Sequence, residues 1–181
     1  MDKFDKDFFS KRKHIAWRAQ PVCDQLVKQF NPKSVIDVGC GIGEFLKNFL
    51  DRGIEIAGVE NTEVVYPYLM IPRTTLEITD ITQQIPYPGV NKFDLALCFM
   101  VIGRLPEDVW PSCAKFIASV SDTVVTVVEK EVEWTKCMKK VGFKIDNDAT
   151  ITFRQALKPL FNKTAVRSFQ FTQVFRKKKY D

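Results

Sequence analysis

The sequence has few of the residues from which metal centres and disulfide frameworks are built. Its 181 residues include one histidine, His14, and five widely spaced cysteines, an odd number that contains no C-x-x-C pair. This usage favours reduced thiols in a cytoplasmic setting and argues against zinc. We therefore expect no metal in the functional site.

Long apolar runs are also missing. No stretch approaches the length of a membrane span, and the N-terminal segment MDKFDKDFFSKRK is too charged for a signal peptide. These absences predict a protein without a membrane partner. What is present, with 45% hydrophobic and 27% charged residues, is an ordinary globular composition, and the length suits one domain with a sizeable core.

The net charge of +5 is spread unevenly along the chain. Residues 1–20 carry six Lys/Arg and three Asp/Glu, and residues 154–181 carry eight and one, which leaves a net charge of −5 on residues 21–153. Basic ends around a mildly acidic centre favour an anionic substrate, such as a nucleotide or RNA. A solvated terminal tail, with RKKK at 176–179, is the alternative explanation.

The most informative stretch is residues 35–49, which read VIDVGCGIGEFLKNF. A β-branched run ends on Asp37 and predicts a strand buried on both faces. Glycines then alternate at Gly39, Gly41 and Gly43, where they permit positive φ and let a ligand approach the backbone. Because apolar residues with helical spacing follow, the stretch predicts the nucleotide-facing corner of a βαβ unit.

Two details make this motif more specific. The dinucleotide fingerprint has glycine or alanine three residues after Gly41, where this chain has Glu44, and Asp37 precedes the first glycine by two residues. The pattern D-V-G-C-G-x-G resembles motif I of the class I S-adenosylmethionine (SAM)-dependent methyltransferases. The resemblance implies an α/β fold with a doubly wound, mostly parallel sheet of seven strands, SAM as cofactor and S-adenosylhomocysteine (SAH) as product. It also implies a single domain over residues 1–181, with a helical cover at 1–31 and a Rossmann-like core at 33–181.

Acidic residues further along the chain stand where that family binds the rest of its cofactor. Glu60 closes a predicted strand at residues 54–60, where an acid accepts hydrogen bonds from ribose hydroxyls. Asp80 follows a predicted strand at 73–79 and matches the acid that receives the adenine amino group. The cofactor-binding residues implied by the resemblance are Asp37, Gly39, Cys40, Gly41, Gly43, Glu60, Asn61, Asp80, Ile81, Cys98 and, by position alone, Arg18.

The rest of the chain supplies the other elements of this fold. One or two amphipathic helices are predicted within residues 4–30, and further helices at 107–119 and 131–140. Proline and glycine predict a loop at 86–89. The remaining strands are predicted at 93–100, 122–128, 144–153 and 166–175.

The residues that face the acceptor are less clearly marked. A methyl sulfonium is already a reactive donor, so methyl transfer needs alignment, and a base only where the acceptor must lose a proton. By position, His14, Arg104 and Glu129 are catalytic candidates, and Trp17, Arg104 and Trp134 are substrate-contact candidates. Arg104 stands where many small-molecule methyltransferases carry histidine, and arginine is a poor base but a good partner for carboxylate or phosphate. A surface position for His14, a solvated helix acid for Glu129 and a core position for Trp134 are the alternatives.

Missing motifs narrow the acceptor. The chain lacks the [DNS]-P-P-[YFW] motif of amino-methylating DNA enzymes, the Lys-Asp-Lys-Glu set of ribose 2′-O-methyltransferases and the paired-glutamate loop of arginine methyltransferases. Cys98 follows leucine and not proline, unlike most cysteine nucleophiles of carbon-5 pyrimidine enzymes. We therefore expect transfer to a nitrogen or oxygen atom of a small molecule, with RNA or a nucleotide as the alternative acceptor. A non-catalytic SAM-binding module and an NAD-dependent oxidoreductase are further alternatives, and Glu44 counts against the second.

Overall fold

The structure is a computed structural model that describes residues 5–83, 92–160 and 167–178. A seven-stranded sheet has the order β3-β2-β1-β4-β5-β7-β6. The strands are β1 Ser34–Val38, β2 Glu55–Glu60, β3 Leu76–Ile78, β4 Leu95–Phe99, β5 Thr123–Val127, β6 Phe143–Ile145 and β7 Thr172–Lys177. The first five strands are parallel, and β7 is antiparallel to both of its neighbours. This arrangement confirms the predicted mostly parallel sheet of seven strands.

Helices cover both faces of the sheet, as a sheet buried on both sides requires. The α-helices are α1 Lys6–Ile15, α2 Gln20–Phe30, α3 Glu44–Leu50, α4 Trp110–Val120, α5 Glu131–Lys140 and α6 Asn147–Leu157. One apolar core joins the sheet to α2, α3 and α6, and the other joins it to α4 and α5. None of the helices in the described ranges is long and apolar enough to cross a membrane.

The N-terminal segment forms two α-helices, α1 and α2. The Asp5 carboxylate caps α1 by accepting a hydrogen bond of 2.9 Å from the backbone N–H of Phe8. A 3-10 helix, Ala16–Ala19, separates α1 from α2, and Pro21 lies in the first turn of α2, where a missing N–H has no cost. α2 ends at Phe30, and the following residue, Asn31, caps it in a left-handed conformation with φ of 43°.

The prediction of a strand at residues 144–153 is wrong for most of these residues. The strand β6 has three residues, and α6 follows it. The Asp146 carboxylate caps α6 by accepting a hydrogen bond of 3.0 Å from the backbone N–H of Ala149. Thr150, Phe153 and Leu157 are buried at helical spacing on one side of α6. The cap and this spacing outweigh the β-branched residues, because a helix buries all three side chains against one face.

Two other predicted strands are shorter than expected. Residues 73–79 begin with a 3-10 helix, Arg73–Thr75, and only Leu76–Ile78 pair with β2. In the strand predicted at 166–175, the described residues Arg167–Phe171 form a 3-10 helix, and β7 follows it. The loop predicted at 86–89 lies outside the described residues. The other predicted strands and helices match the structure to within a few residues at each end.

Candidate functional site

A cavity with a volume of about 160 Å³ opens at the carboxyl ends of the parallel strands, at the neighbouring strands β1 and β4. The order of the strands reverses at this point, and open α/β sheets bind ligands there. The cavity wall includes the loop after β1, the ends of β2 and β4, and the inner face of α1. Nine residues predicted from the sequence line it: Asp37, Gly39, Cys40, Gly41, Glu60, Asn61, Asp80, Ile81 and Arg104.

The glycine loop needs glycine for two different reasons. Gly39 has φ of +79°, and a Cβ there would lie 2.2 Å from Cγ2 of Val101. Gly41 has φ of +56°, and its nearest neighbours to an added Cβ are 3.9 Å away, on the side of the cavity. The Gly39 N–H and the Cys40 N–H both donate to the carbonyl of Val59, at 2.7 and 3.0 Å. The loop is therefore fixed to β2, and because its glycines have no side chains, a ligand has room beside the backbone.

Asp37 ends in the cavity wall with a buried carboxyl group. Its side chain is 2% exposed, and it accepts no hydrogen bond from any residue in the described ranges. Burial is the main cause that raises the pKa of Asp37 to about 7, the charge of Glu60 adds to it, and Arg12 opposes it. A buried carboxylate is stable only with donors around it. A ligand that carries an ammonium group or hydroxyls would supply such donors.

Glu60 is positioned at the end of β2 by two backbone hydrogen bonds. Its Oε2 accepts from the Gly41 N–H at 2.9 Å, and its Oε1 accepts from the Asn61 N–H at 2.8 Å. Burial raises the pKa of Glu60, and these two hydrogen bonds lower it. Since each carboxylate oxygen has a second lone pair, the group can still accept two hydroxyl groups of a ligand.

Asp80 forms the outer edge of the cavity in a turn after β3. Its carboxylate accepts from the backbone N–H of Thr82 at 2.9 Å, from the Thr82 hydroxyl at 2.7 Å and from Nε2 of Gln83 at 3.2 Å. The hydrogen bond from the Thr82 hydroxyl is the largest cause that lowers the pKa of Asp80. Asp80 is therefore an ionised acceptor in a fixed orientation, next to Ile81 in the wall.

The comparison with known families decides what kind of site this is. The model of the family described as Methyltransferase domain matches residues 12–133, which is more than half of the chain. The chain belongs to this methyltransferase family. Membership confirms the predicted family, and SAM, the cofactor predicted from the sequence, is the ligand to compare with the cavity.

Two solved structures and one curated relative are similar to this methyltransferase. A TehB-like SAM-dependent methyltransferase from Corynebacterium glutamicum matches over 96% of this chain and 98% of that one, with 14% identity and a TM-score of 0.69. The SAM-bound amino pentose methyltransferase CalS10 from Micromonospora echinaspora matches over 61% of this chain and 49% of its own, with 19% identity and a TM-score of 0.52. The ribosomal RNA small subunit methyltransferase A of Mycoplasma genitalium is 26% identical over 106 residues, 58% of this chain and 41% of that protein. The chain thus spans about half or less of the length of CalS10 and of the ribosomal RNA enzyme.

The polar and apolar groups in the wall of the methyltransferase's cavity are complementary to those of SAM. Asp37 is a buried acceptor suited to an ammonium group, and Glu60 retains two acceptor positions for hydroxyl groups. The backbone at Gly41 is open to the cavity, where a Cβ would take up the space. The aromatic side chains of Phe8, Phe9, Phe45 and Phe99 give the remaining wall its apolar character.

The structure also contains cavity residues that the sequence did not indicate. Arg12 projects from α1 and forms an ion pair with Glu44, which is only 5% exposed at the start of α3. Burial lowers the pKa of Arg12, the charge of Arg104 lowers it further, and Asp37 raises it. The available signal was helical spacing, since Arg12 follows Phe8 and Phe9 by four and three residues and lies on their side of α1.

Arg18, which was predicted for the role of cofactor-binding arginine, lies elsewhere. It belongs to the 3-10 helix after α1, and its guanidinium carbon is 5.4 Å from the centre of the Trp17 ring. Neither residue is in the wall of the cavity. Arg12 occupies the cavity in place of Arg18, because the turn at residues 16–19 carries Arg18 away from the face that α1 presents.

Other predicted site residues lie outside the cavity wall. For Cys98 and Trp134 the predicted site role is wrong, because both side chains are buried in the core. Cys98 is fully buried on the α4 and α5 side of the sheet, because alternation along β4 directs its neighbours Leu97 and Phe99 to the opposite face. Trp134 is fully buried against Trp110, with ring centres 6.1 Å apart, so it is a core residue and not a substrate contact. The remaining residues outside the wall are Gly43, which packs against Ile71, and the exposed side chains of His14 and Glu129.

Proposed function

We propose that this methyltransferase transfers the methyl group of SAM to a nitrogen or oxygen atom of a small molecule. The observation that carries the proposal is the buried carboxyl group of Asp37, which faces the cavity and accepts no hydrogen bond from the described residues. The inner face of α1 covers the same cavity with Phe8 and Phe9. A cavity closed on this side by a helix suits a small acceptor better than a polymer.

The cofactor-binding roles follow from the position of each group. Asp37 would accept from the ammonium group of SAM, Glu60 from its ribose hydroxyls and Asp80 from its adenine amino group. Asn61 and the backbone N–H of Ile81 would lie beside the adenine ring. Arg12 is suited to the carboxylate of SAM, because its guanidinium group lines the cavity and can donate hydrogen bonds to a carboxylate. The backbone of residues 39–43 completes the pocket.

The reaction needs mainly alignment and the exclusion of water. SAM, when bound, supplies an activated methyl group, so the chain itself must hold the acceptor in line and keep the pair dry. Orientation of two reactants accounts for about 7–11 kcal/mol of barrier reduction in favourable cases. The apolar side chains of Phe8, Phe9 and Phe99 suit the exclusion of water.

Calorimetric titration with SAM, SAH and NAD tests the cofactor assignment. We expect micromolar affinity for SAM and SAH, no binding of NAD, and loss of adenosyl binding in Asp37→Asn, which keeps the shape of the side chain. Asp108→Asn is a matched control, because Asp108 is exposed and outside the cavity wall. Absence of SAH binding by the unmodified protein would refute the proposal, and methyl transfer from labelled SAM to amines and phenols would extend it.

Methylation of RNA or a nucleotide is the second candidate function. Trp17 is 67% exposed, the Arg18 guanidinium lies over its ring, and Lys11 and Lys13 are exposed on the adjacent helix. Exposed aromatic rings with nearby cations are typical of surfaces on which bases stack. The similarity to a ribosomal RNA methyltransferase also supports this candidate.

The basic C-terminal strand is less suitable for that role. β7 pairs with β5 in the register Thr123–Arg176 and Val127–Thr172, so Arg176 and Lys177 lie at the edge of the sheet opposite the cavity. The salt dependence of binding to a single-stranded oligonucleotide, measured for variants of each basic region, shows which region contacts RNA. If RNA is the acceptor, Lys11→Gln with Lys13→Gln weakens binding and lowers its salt dependence, whereas Lys177→Gln with Lys178→Gln has little effect. Binding that ignores ionic strength and all four lysines would exclude this candidate.

A cytoplasmic location remains a prediction. All five cysteines are free thiols in the structure, which is compatible with a reducing compartment.

A further inference from the structure

The segment after β4 carries Arg104 in the wall of the cavity. Ile102–Arg104 form one 3-10 turn, in which the Arg104 N–H donates to the carbonyl of Val101 at 3.0 Å. Ile102 is fully buried beneath the turn. On the far side, Nε1 of Trp110 donates to the carbonyl of Leu105 at 3.1 Å. The backbone that bears Arg104 is therefore held by the buried side chain of Ile102 and by the hydrogen bond from Trp110 to the next residue, Leu105.

The same segment is also packed against the cofactor loop. Val101 lies so close to Gly39 that a Cβ on the glycine would be 2.2 Å from its Cγ2. Met100, one residue earlier, has φ of +59° and donates its N–H to the carbonyl of Val127 at 3.1 Å. These contacts turn the chain sharply at the end of β4. They hold the backbone of Arg104 in a set position relative to the glycine loop.

The charges in the cavity are divided between two sides. Glu60 ends β2 and Asp80 follows β3, whereas Arg12 and Arg104 come from α1 and from the segment after β4. Glu44 is the ion-pair partner of Arg12, and the charge of Arg104 helps to lower the pKa of Arg12, so the two cations are close enough to repel each other. The proposed roles place the SAM carboxylate at Arg12. An anionic group on the other reactant would therefore be attracted chiefly by Arg104.

We propose that Arg104 binds a carboxylate or phosphate group of the acceptor, so that the acceptor is an anionic small molecule. The proposal rests on the proposed function, since it assigns the acceptor side of the SAM cavity. A guanidinium group keeps its proton in proteins and is a poor general base, but its planar set of N–H donors matches a carboxylate or a phosphate with two parallel hydrogen bonds. Arg104 is exposed in the described structure, so an acceptor that enters the cavity can reach it.

Binding of small anions to the SAH-saturated protein tests the assignment. The probes are benzoate and phenyl phosphate, with benzyl alcohol as the neutral analogue, and each is titrated calorimetrically into the protein at saturating SAH. We expect one or both anions to bind and benzyl alcohol to bind at least tenfold more weakly, because a charge-assisted pair is lost. The two anions distinguish a carboxylate-bearing from a phosphate-bearing acceptor.

Two substitutions at Arg104 and one control make the test specific. Arg104→Gln is expected to weaken anion binding about tenfold or more while the affinity for SAH stays within about twofold. Arg104→Lys keeps the charge without the planar fork, so we expect an intermediate affinity for the anion. Arg73→Gln removes a guanidinium that lies over Tyr66, 3.8 Å from the ring centre and outside the cavity wall, and leaves both affinities unchanged.

Several outcomes would overturn the assignment or the function on which it rests. If Arg104→Gln and Arg104→Lys both lose SAH, Arg104 serves the cofactor and not the acceptor. If the neutral and anionic probes bind equally, or Arg104→Gln binds the anions as well as the unmodified protein, Arg104 does not select an anion. A protein that binds no SAH at all contradicts the proposed function itself, which the SAH titration detects before any anion is added.

Discussion

The carboxyl groups of Asp37 and Glu60 lie at the ends of two neighbouring parallel strands, where their charges interact. Burial is the larger cause, and the charge of Glu60 the smaller one, that brings the pKa of the Asp37 carboxyl group to about 7. Asp37 is the last but one residue of β1 and Glu60 is the last residue of β2, and the Gly41 N–H of the glycine loop donates to Glu60. The ligand-free cavity therefore contains a carboxyl group that titrates near neutral pH.

The affinity for SAH should fall as the pH is lowered below 7. An ammonium group binds the ionised form of Asp37, and at pH 6 only about one tenth of this carboxyl is ionised in the free protein. We expect the dissociation constant at pH 6 to be roughly tenfold higher than at pH 8, measured by calorimetry in buffers of matched ionic strength. A pH-independent dissociation constant over this range would show that ionised Asp37 is not the acceptor for the ammonium group.

The same pKa predicts that Asp37 lowers the stability of the ligand-free protein at high pH. Because the pKa of a free aspartate is about 3.8 and the folded value is about 7, the folded state holds the proton more tightly, and stability is lost as the pH rises from about 4 to 7. Asp37→Asn removes this loss. We expect the variant to be more stable than the unmodified protein by a few kcal/mol at pH 8, on the order of 1.4 kcal/mol per unit of pKa difference. Urea unfolding at pH 8 and pH 5 measures it, and the gain should shrink at pH 5.

Gly39 and Gly53 form a matched pair for testing the glycine loop. Both have positive φ, +79° and +72°, but a Cβ on Gly39 meets Val101 whereas a Cβ on Gly53 meets nothing within 4 Å. Gly53→Ala should cost about 1–2 kcal/mol from the backbone conformation alone and leave SAH binding intact. Gly39→Ala should cost more and abolish SAH binding. Adding Val101→Ala to Gly39→Ala should recover part of the lost stability, because it removes the Cγ atoms that clash.

The Arg12–Glu44 ion pair should behave differently in stability and in binding. Arg12→Gln leaves Glu44 buried without its cation and should lower the free energy of unfolding by about 3 kcal/mol, whereas the double change with Glu44→Gln should recover most of it. If Arg12 binds the carboxylate of SAM, both variants lose SAH affinity by about tenfold or more. Recovery of SAH affinity in the double variant would instead assign Arg12 a purely structural role.

The sequence indicated the cofactor side of the site more clearly than the acceptor side. Asp37 and Glu60 were predictable because they end buried strands, and the carboxyl ends of parallel strands meet at one edge of a sheet. The sequence pointed to Arg18 and not to Arg12, because the position of Arg18 depends on the 3-10 helix that follows α1. A short 3-10 helix has a weaker sequence signal than an α-helix or a strand.

Errors in the second half of the chain have a similar origin. The residues of α6 include Ile151 and two threonines near it, which favour a strand when they are considered locally. The packing of Phe153 and Leu157 against the sheet decides for a helix, and packing is not visible in a short window. Trp134 was ambiguous for the same reason, because a buried tryptophan and a substrate-binding one have the same sequence pattern.

The place of β7 between β5 and β6 has a consequence for how the chain folds. β6 pairs only with β7 in the described sheet, yet β7 comes after α6 in the sequence. β6 therefore has no strand partner until the last strand of the described chain has been synthesised and inserted. Because that insertion joins segments far apart in sequence, we expect it to be among the late and slow steps of folding. Until then β5 has an unpaired edge, and an unpaired edge is the part of a nascent sheet most open to chaperones and to aggregation.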